Sequence, residues 1–174
     1  GRMMRALLRQ VQAAGVLVLT GAEVTKLEPG SASVTVRTAN DWTFEADQVV
    51  VATNGFAQQL LPELSVEPAR AQVLITKPIT GLKFKGGFHY DCGYYYFRHV
   101  GERVWFGGGR NLDFDAERSS EIALTDLVQA QLESILREVI LPGQDFEIDH
   151  RWAGIMGVGP SKERILRKVH PRIT

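Results

Sequence analysis

The sequence stretch that decides the fold is YYYFRHVGERVWFGGGR, residues 94–110. Its two halves, residues 94–100 and 103–107, are rich in aromatic and β-branched residues, and the dipeptide Gly101-Glu102 separates them. Two runs of this composition on either side of a short glycine-containing link are typical of a β-hairpin. The stretch therefore predicts two antiparallel strands near the centre of the chain.

Tyr94, Tyr96 and Arg98 form the candidate substrate-binding set of this hairpin. Successive side chains of a strand point to opposite faces, so these three are expected to share one face. An arginine can hold a carboxylate through two parallel hydrogen bonds, while tyrosine hydroxyls add further hydrogen bonds and their rings bound an apolar pocket. The spacing supports equally well an aromatic core face with a solvated arginine.

The segments around the hairpin predict a sheet with one long helix. Residues 68–76 alternate as a strand, and residues 146–152 predict another strand. Between the hairpin and the second of these strands, residues 119–139 carry apolar side chains at helical spacing until Pro142-Gly143 ends the pattern. Trp152, at the end of the last strand, is a candidate pocket wall or else a core tryptophan.

The first third of the chain predicts a helix and several short strands. An amphipathic helix, a short buried strand and three further strands are predicted at residues 2–14, 16–19, 23–28, 33–38 and 42–45. The last two of these strands form a predicted hairpin. Residues 47–53 contain the continuous apolar run Val49–Ala52, which is typical of a strand covered on both faces, often in a parallel sheet.

The turn Ala52-Thr53-Asn54-Gly55 after this run is a second candidate binding element. A buried strand that leads into a small polar turn places backbone groups at the carboxyl end of a sheet, where open α/β sheets bind ligands. Gly55 allows the backbone to approach a ligand closely. The alternative is an ordinary strand followed by a turn.

Composition excludes several classes of partner and site. The 174 residues include twenty basic and twenty acidic side chains, which gives no support for nucleic-acid binding or for an anionic membrane surface. No apolar run approaches the roughly 18 residues of a membrane span. Cys92 is the single cysteine, so no internal disulfide forms and a reducing, cytoplasmic setting is expected. His89 and Cys92 have ligand-like spacing, but a zinc site needs three or four ligands, so no metal is expected.

Taken in order, these segments resemble the D-amino acid oxidase and glycine oxidase family of FAD-dependent oxidoreductases. The matching stretches are GAEVTKLE (21–28), ADQVVVATNGF (46–56), EPARAQVLITKP (67–78), the hairpin stretch 94–110 and HRWAGIMGVGPSKERI (150–165). The resemblance implies a fold of the α+β or α/β class. It implies part of a Rossmann-like FAD-binding lobe over residues 1–62, an antiparallel-sheet substrate lobe over 63–152, and a segment returning to the FAD-binding lobe over 153–174.

The resemblance also implies the chemistry. The expected cofactor is FAD, and the expected reaction is oxidation of the carbon–nitrogen bond of an amino acid or amine by hydride transfer to the flavin. Arg98 would then hold the substrate carboxylate, with Tyr94 and Tyr96 lining the pocket. The residues expected to lie against the cofactor are Val24, through its backbone, and Ala52, Thr53, Asn54, Gly55 and Trp152.

Two family segments are missing from the sequence, and other functions stay open. The family's Gly-x-Gly-x-x-Gly turn, which holds the pyrophosphate at a helix N-terminus, is absent, as is its glycine-rich carboxyl-terminal segment. We therefore expect an internal fragment that binds FAD weakly or not at all and is inactive alone. The alternatives are a non-catalytic α+β domain that binds a ligand or partner protein through the Tyr94–Arg98 hairpin, and a flavin enzyme that acts on a hydroxy acid.

Overall fold

The computed structural model describes residues 1–161 and 163–174, and these form two compact units. The first unit comprises Gly1–Val51 and Leu166–Thr174, and the second comprises Ala52–Ile165. This division falls earlier than the predicted one at residue 62. The assignment of the units to cofactor and substrate lobes stays a prediction.

The first unit contains one helix and a three-stranded antiparallel sheet. Helix α1 spans Arg2–Ala13, and Gly15 follows it with a positive φ of 83°, a conformation that glycine adopts without strain. The sheet has the order β1-β2-β3, with β1 at Val24–Pro29, β2 at Val34–Thr38 and β3 at Thr43–Ala46. The predicted helix and the predicted hairpin of β2 and β3 are confirmed.

Two predicted buried strands of the first unit are wrong for the described residues. Residues 16–19 form no strand, and Leu17 is 79% exposed. Residues 47–53 form only a single parallel bridge, between Val49 and Ile173, and Val50 is 73% exposed. The apolar pattern predicts burial, but a strand exists only where a neighbour completes its hydrogen bonds. Within the described residues, that neighbour is the short segment Arg172–Thr174 beside Val49 and Val51.

The second unit is built on a five-stranded antiparallel sheet with the order β5-β6-β7-β4-β8. The strands are β4 at Glu67–Thr76, β5 at Gly87–Tyr90, β6 at Tyr95–Val100, β7 at Arg103–Gly108 and β8 at Ile148–Val158. The predicted hairpin is confirmed as β6 and β7. Strand β8 continues beyond residue 152, where the predicted substrate lobe ends.

Helix α2 covers one face of this sheet and closes the core. It spans Asp126–Ile135 and continues as a wider π turn over Leu136–Ile140. Fully buried apolar side chains of the sheet and the helix meet in this layer; they include Leu74, Val104, Phe106, Leu132 and Leu136. Burial of this apolar surface is the main stabilising contribution to the unit.

The predicted start of the long helix at residue 119 is wrong, because α2 begins seven residues later at Asp126. Thr125, the residue before the helix, has an extended backbone, and its N–H donates to Oε1 of Gln72 at 3.0 Å. Its hydroxyl also accepts a hydrogen bond from Nε2 of Gln72 at 2.7 Å. This contact with a distant strand holds the preceding segment out of the helix, and periodicity in the sequence does not reveal it.

A buried polar cluster ties this segment to the sheet. The guanidinium of Arg70 on β4 donates to both carboxylate oxygens of Glu117 at 3.0 Å, and Gln72 donates to the same carboxylate. Arg70 is 5% exposed and Glu117 is 1% exposed. The hydrogen bonds that Arg70 donates to Glu117 raise the pKa of Arg70, which burial alone would lower. Each charge of the Arg70–Glu117 pair is therefore stable inside the protein only while the other is present.

Among the described residues, no helix is long and apolar enough to cross a membrane. In the same part of the chain, no three His, Cys, Asp or Glu side chains are grouped so that they could hold a metal ion.

Candidate functional site

The five-stranded sheet has two different faces. Residues directly opposite each other on antiparallel strands point to the same side, so the register assigns each side chain to a face. One face carries Tyr95, Phe97 and Phe106 and packs on α2. The other, which we call the open face, carries Tyr96, Arg98, Val73 and Trp152 together with the side chains in register with them. The candidate site lies on the open face.

Two rows of residues run across the open face. The first row joins Tyr96, Gly107, Val73 and Trp152, in that order, from β6 to β8. The second row joins Arg98, Trp105, Ile75 and His150. In the sheet, β7 and β4 separate β6 from β8, yet the register brings the predicted Tyr96, Arg98 and Trp152 to one surface. Trp105 and Trp152 stand on either side of β4, whose Val73 and Ile75 lie between them.

Gly107 allows the aromatic rings of the open face to pack closely. A Cβ atom added at Gly107 would lie 3.0 Å from Cε2 of Tyr96 and 3.0 Å from the carbonyl oxygen of Gln72, and it would overlap Cγ1 of Val73. The ring of Tyr96 therefore lies across Gly107. Burial raises the pKa of Tyr96, so its hydroxyl stays protonated at neutral pH and can donate a hydrogen bond.

Arg98 is an exposed cation held by an aromatic ring. Its guanidinium carbon lies 5.4 Å from the ring centroid of Trp105, within the range of a cation–π contact. In the part of the chain that the structure describes, no carboxylate forms an ion pair with Arg98. The forked donors of its guanidinium are therefore available to an anion on the open face.

Tyr94 lies next to this surface but not in the strand. Strand β6 begins at Tyr95, and Tyr94 ends a turn in which its N–H donates to the carbonyl of Asp91 at 2.9 Å. Its carbonyl accepts from the N–H of Gly109 at 3.1 Å, and its ring is 6.3 Å from that of Phe114. The alternation that relates Tyr96 to Arg98 therefore does not extend to Tyr94.

The predicted turn at residues 52–55 packs on the end of β8. Asn54 has a positive φ of 51°, and its Oδ1 accepts a hydrogen bond from the N–H of Gly157 at 2.8 Å. A Cβ atom at Gly55 would lie 2.6 Å from the carbonyl oxygen of Met156. The backbone of Gly55 thus lies close to strand β8. Ala52 and Thr53 are exposed.

The remaining predicted residues lie in different units. Val24 begins β1 in the first unit, where it is partly buried opposite Thr38. Trp152 lies on the open face of the second unit and is 42% exposed. The roles predicted for the site residues stay predictions. Sequence reasoning missed Trp105 and His150, although alternation within residues 103–107 and along β8 was the signal that could have identified them.

Solved structures of an oxidase and a dehydrogenase have the same fold as this chain. Glycine oxidase from Geobacillus kaustophilus matches 97% of the chain and 45% of its own length, with a TM-score of 0.79 and 17% identity. L-Proline dehydrogenase from P. horikoshii matches 94% of the chain and 45% of its own length, with a TM-score of 0.75 and 18% identity. The chain spans less than half the length of these proteins.

Sequence comparison leads to the same class of protein. The probable oxidoreductase OrdL of Rhizobium meliloti (strain 1021) is 26% identical over 181 aligned positions, which cover 99% of this chain and 40% of that protein. The sequence model of the family described as FAD dependent oxidoreductase (DAO) matches residues 1–174. The chain therefore belongs to the family of FAD dependent oxidoreductases.

Proposed function

We propose that this chain supplies the substrate-binding sheet and part of the FAD-binding lobe of a longer flavoprotein that oxidises the carbon–nitrogen bond of an amino acid or amine. The family membership supports a flavin-dependent redox reaction. The similar structures named as glycine oxidase, L-proline dehydrogenase and iminodiacetate oxidase support an amino acid as the substrate. A reducing, cytoplasmic location is part of the proposal and rests on the single thiol of Cys92.

The open face is compatible with a flat ring system such as that of flavin. Beside Trp152, the position of a Cβ atom at Gly154 has no other atom within 4 Å, so this part of the face is free of side chains. Ala71, the residue opposite Gly154, adds only a methyl group. FAD, when bound, would accept a hydride from the substrate carbon next to nitrogen. We propose that Trp152 and Gly154 border the ring, and that Val24 and residues 52–55 contact the cofactor elsewhere.

Arg98 is the residue proposed to bind the substrate carboxylate. It is an exposed cation on the open face, and the cation–π contact with Trp105 holds it there without an acidic partner among the described residues. A substrate carboxylate would receive two hydrogen bonds from its guanidinium. Tyr96 would donate a further hydrogen bond, while Trp105 and Trp152 would exclude water from the two sides. Tyr94 would border the pocket from the turn before β6.

Replacing Arg98 with lysine tests this assignment. We expect kcat/KM for the best amino acid among glycine, proline and iminodiacetate to fall about 10- to 100-fold, because lysine keeps the charge but loses the forked contact. The measurement is anaerobic reduction of bound flavin in a form of the protein lengthened to the size of its relatives. The matched control is Arg37→Lys, an exposed arginine of β2 paired with Glu28.

The control is expected to react as the unchanged protein does. Equal rates for Arg98→Lys and the unchanged protein would remove Arg98 from the site. Reduction by a hydroxy acid but not by any amino acid or amine would replace the proposed substrate class. Binding of a ligand without any flavin reduction would favour the non-catalytic binding domain instead.

A further inference from the structure

His150, Asp149 and Arg103 form a polar group at the edge of the open face. Nδ1 of His150 lies 3.3 Å from Oδ1 of Asp149, and the other oxygen of Asp149 accepts a hydrogen bond from Arg103 of β7. The side chain of His150 is 73% exposed, whereas that of Asp149 is 25% exposed. The carboxylate is therefore held in place from within the sheet, and the imidazole extends from it towards solvent.

An irregularity in strand pairing brings the two side chains together. Ile75 pairs with His150 and Thr76 pairs with Ile148, so Asp149 is an extra residue of β8 without an opposite partner. Neighbouring residues of a regular strand point to opposite faces, but a bulge redirects a side chain and is common beside functional sites. The bulge thus allows Asp149 to contact the imidazole on the open face.

His150 occupies the opposite end of the Arg98 row. The guanidinium of Arg98 lies over Trp105 of β7, and β4 lies between β7 and β8. At the usual spacing of strands, the distance from β7 to β8 is roughly 10 Å. A carboxylate and an amine of one small molecule, with a hydrogen bond at each end, can span such a gap. Trp152 lies two residues from His150 on the same face and borders this space.

The charges around His150 leave it free to act as a base. Arg103 is paired with Asp149, and Lys77 is paired with Glu147 at 2.5 Å. The hydrogen bond from Arg103 holds the pKa of Asp149 below its ordinary value, so this carboxylate is ionised across the neutral range. The hydrogen bond of Glu147, with a smaller contribution from the charge of Asp149, raises the pKa of Lys77, which therefore stays a cation.

On the basis of the proposed amine oxidation, we infer that His150 is the group that removes a proton from the substrate ammonium before the carbon–nitrogen bond is oxidised. The N–H bond of the ammonium breaks, its electron pair stays on nitrogen as the lone pair of a neutral amine, and the proton binds to Nε2 of His150. The products of this step are a free amine and an imidazolium ion. Only the free amine has the lone pair that stabilises the cationic carbon–nitrogen double bond formed when the neighbouring carbon loses a hydride.

Asp149 is a positioning residue in this scheme. Because its Oδ1 lies 3.3 Å from Nδ1 of His150, Asp149 favours a proton on that nitrogen, which leaves Nε2 unprotonated and directed away from the carboxylate. It also stabilises the imidazolium that the proton transfer creates. Arg103 acts one step further away, because it holds the carboxylate of Asp149.

The first test uses the 174-residue chain and needs no flavin. Nitrogen NMR of the neutral His150 ring is expected to show the proton on Nδ1, and Asp149→Asn is expected to alter that preference. His99 of β6, whose side chain lies on the opposite face of the sheet, serves as the internal control and is expected to keep its own preference in the variant. A proton found on Nε2 of neutral His150 would overturn the inference.

The second test follows flavin reduction in the lengthened protein over a range of pH. His150→Gln is expected to lower the rate about 10²- to 10⁴-fold at neutral pH, as for the loss of a general base. The remaining rate should rise about tenfold per pH unit as free amine accumulates in solution. His99→Gln, a substitution on the opposite face of β6, is expected to keep the unchanged profile. Because His150 is exposed, its replacement should leave the fold intact, which the near-ultraviolet circular dichroism of the tryptophans checks.

The outcomes separate the two proposals. If the unchanged protein is reduced by an amine and His150→Gln keeps its rate and pH profile, the inference fails while the proposed function stands. If no amine or amino acid reduces the unchanged protein, the proposed function fails.

Discussion

Replacing Glu117 with glutamine is expected to lower the free energy of unfolding by about 3 to 5 kcal/mol. The glutamine has nearly the same shape, but it leaves the guanidinium of Arg70 as an unpaired charge at a site that is 5% exposed. It also disturbs the hydrogen bonds by which Gln72 holds the segment before α2. Urea unfolding followed by circular dichroism measures the change.

The matched control is Glu67→Gln, which removes a carboxylate of similar chemistry from an exposed ion pair with Arg118. Both side chains of that pair are more than half exposed, so the expected loss is less than about 1 kcal/mol. Equal effects of the two substitutions would mean that the Arg70–Glu117 pair is not buried as described.

Replacing Gly107 with alanine is expected to destabilise the second unit by about 1 to 3 kcal/mol. The added methyl group would overlap Val73 and press on the ring of Tyr96, so one of these side chains has to move. Since Tyr96 and Val73 both belong to the open face, we also expect weaker substrate binding by the lengthened protein. Urea unfolding of the 174-residue chain measures the first effect.

Gly154→Ala provides the control for this substitution. Gly154 lies on the same face, but the position of its added Cβ atom has no neighbour within 4 Å, so the stability should change by less than about 0.5 kcal/mol. A loss at Gly154 as large as that at Gly107 would contradict the register from which the open face was derived.

Local patterns predicted the hairpin of β6 and β7 because every residue needed for it lies within residues 94–110. Aromatic and β-branched runs on either side of a short glycine-containing link predict two strands, and the two-residue period of a strand then assigns their side chains to faces. The same pattern did not predict that β4 would pair with β7 or that β8 would pair with β4. Trp152 and Arg98 lie in separate stretches of the sequence that resemble the family. Only the register across β7 and β4 brings them to one face of the sheet.

Long-range polar contacts account for the error at the start of the long helix. Residues 119–125 continue an apolar spacing that predicts a helix, yet Thr125 bonds to Gln72 of a strand more than fifty residues away. Glu117, Arg70 and Gln72 look like surface residues in the sequence, because single charged and amide side chains are rarely buried. Their mutual hydrogen bonds, which make burial possible, exist only in the folded chain.

The apolar runs at residues 16–19 and 49–52 illustrate a different difficulty. Their composition predicts strands with covered faces, and a strand of that kind needs neighbours on both sides. The described residues provide only the short pairing of Val49 and Val51 with the segment Arg172–Thr174. Composition alone thus predicted that these runs would be covered by neighbouring strands, but it did not identify the segments that would cover them.

The central proposal is that this chain frames the substrate side of a flavin-dependent amine oxidoreductase, and an anaerobic absorbance measurement tests this proposal most directly. The protein lengthened to the size of its relatives and the 174-residue chain would each be purified and examined for the visible bands of oxidised flavin. We predict that the lengthened protein carries flavin whose bands bleach when an amino acid or amine is added, and that the 174-residue chain is colourless. A lengthened protein without flavin, or with flavin that no amine or amino acid reduces, would contradict the account.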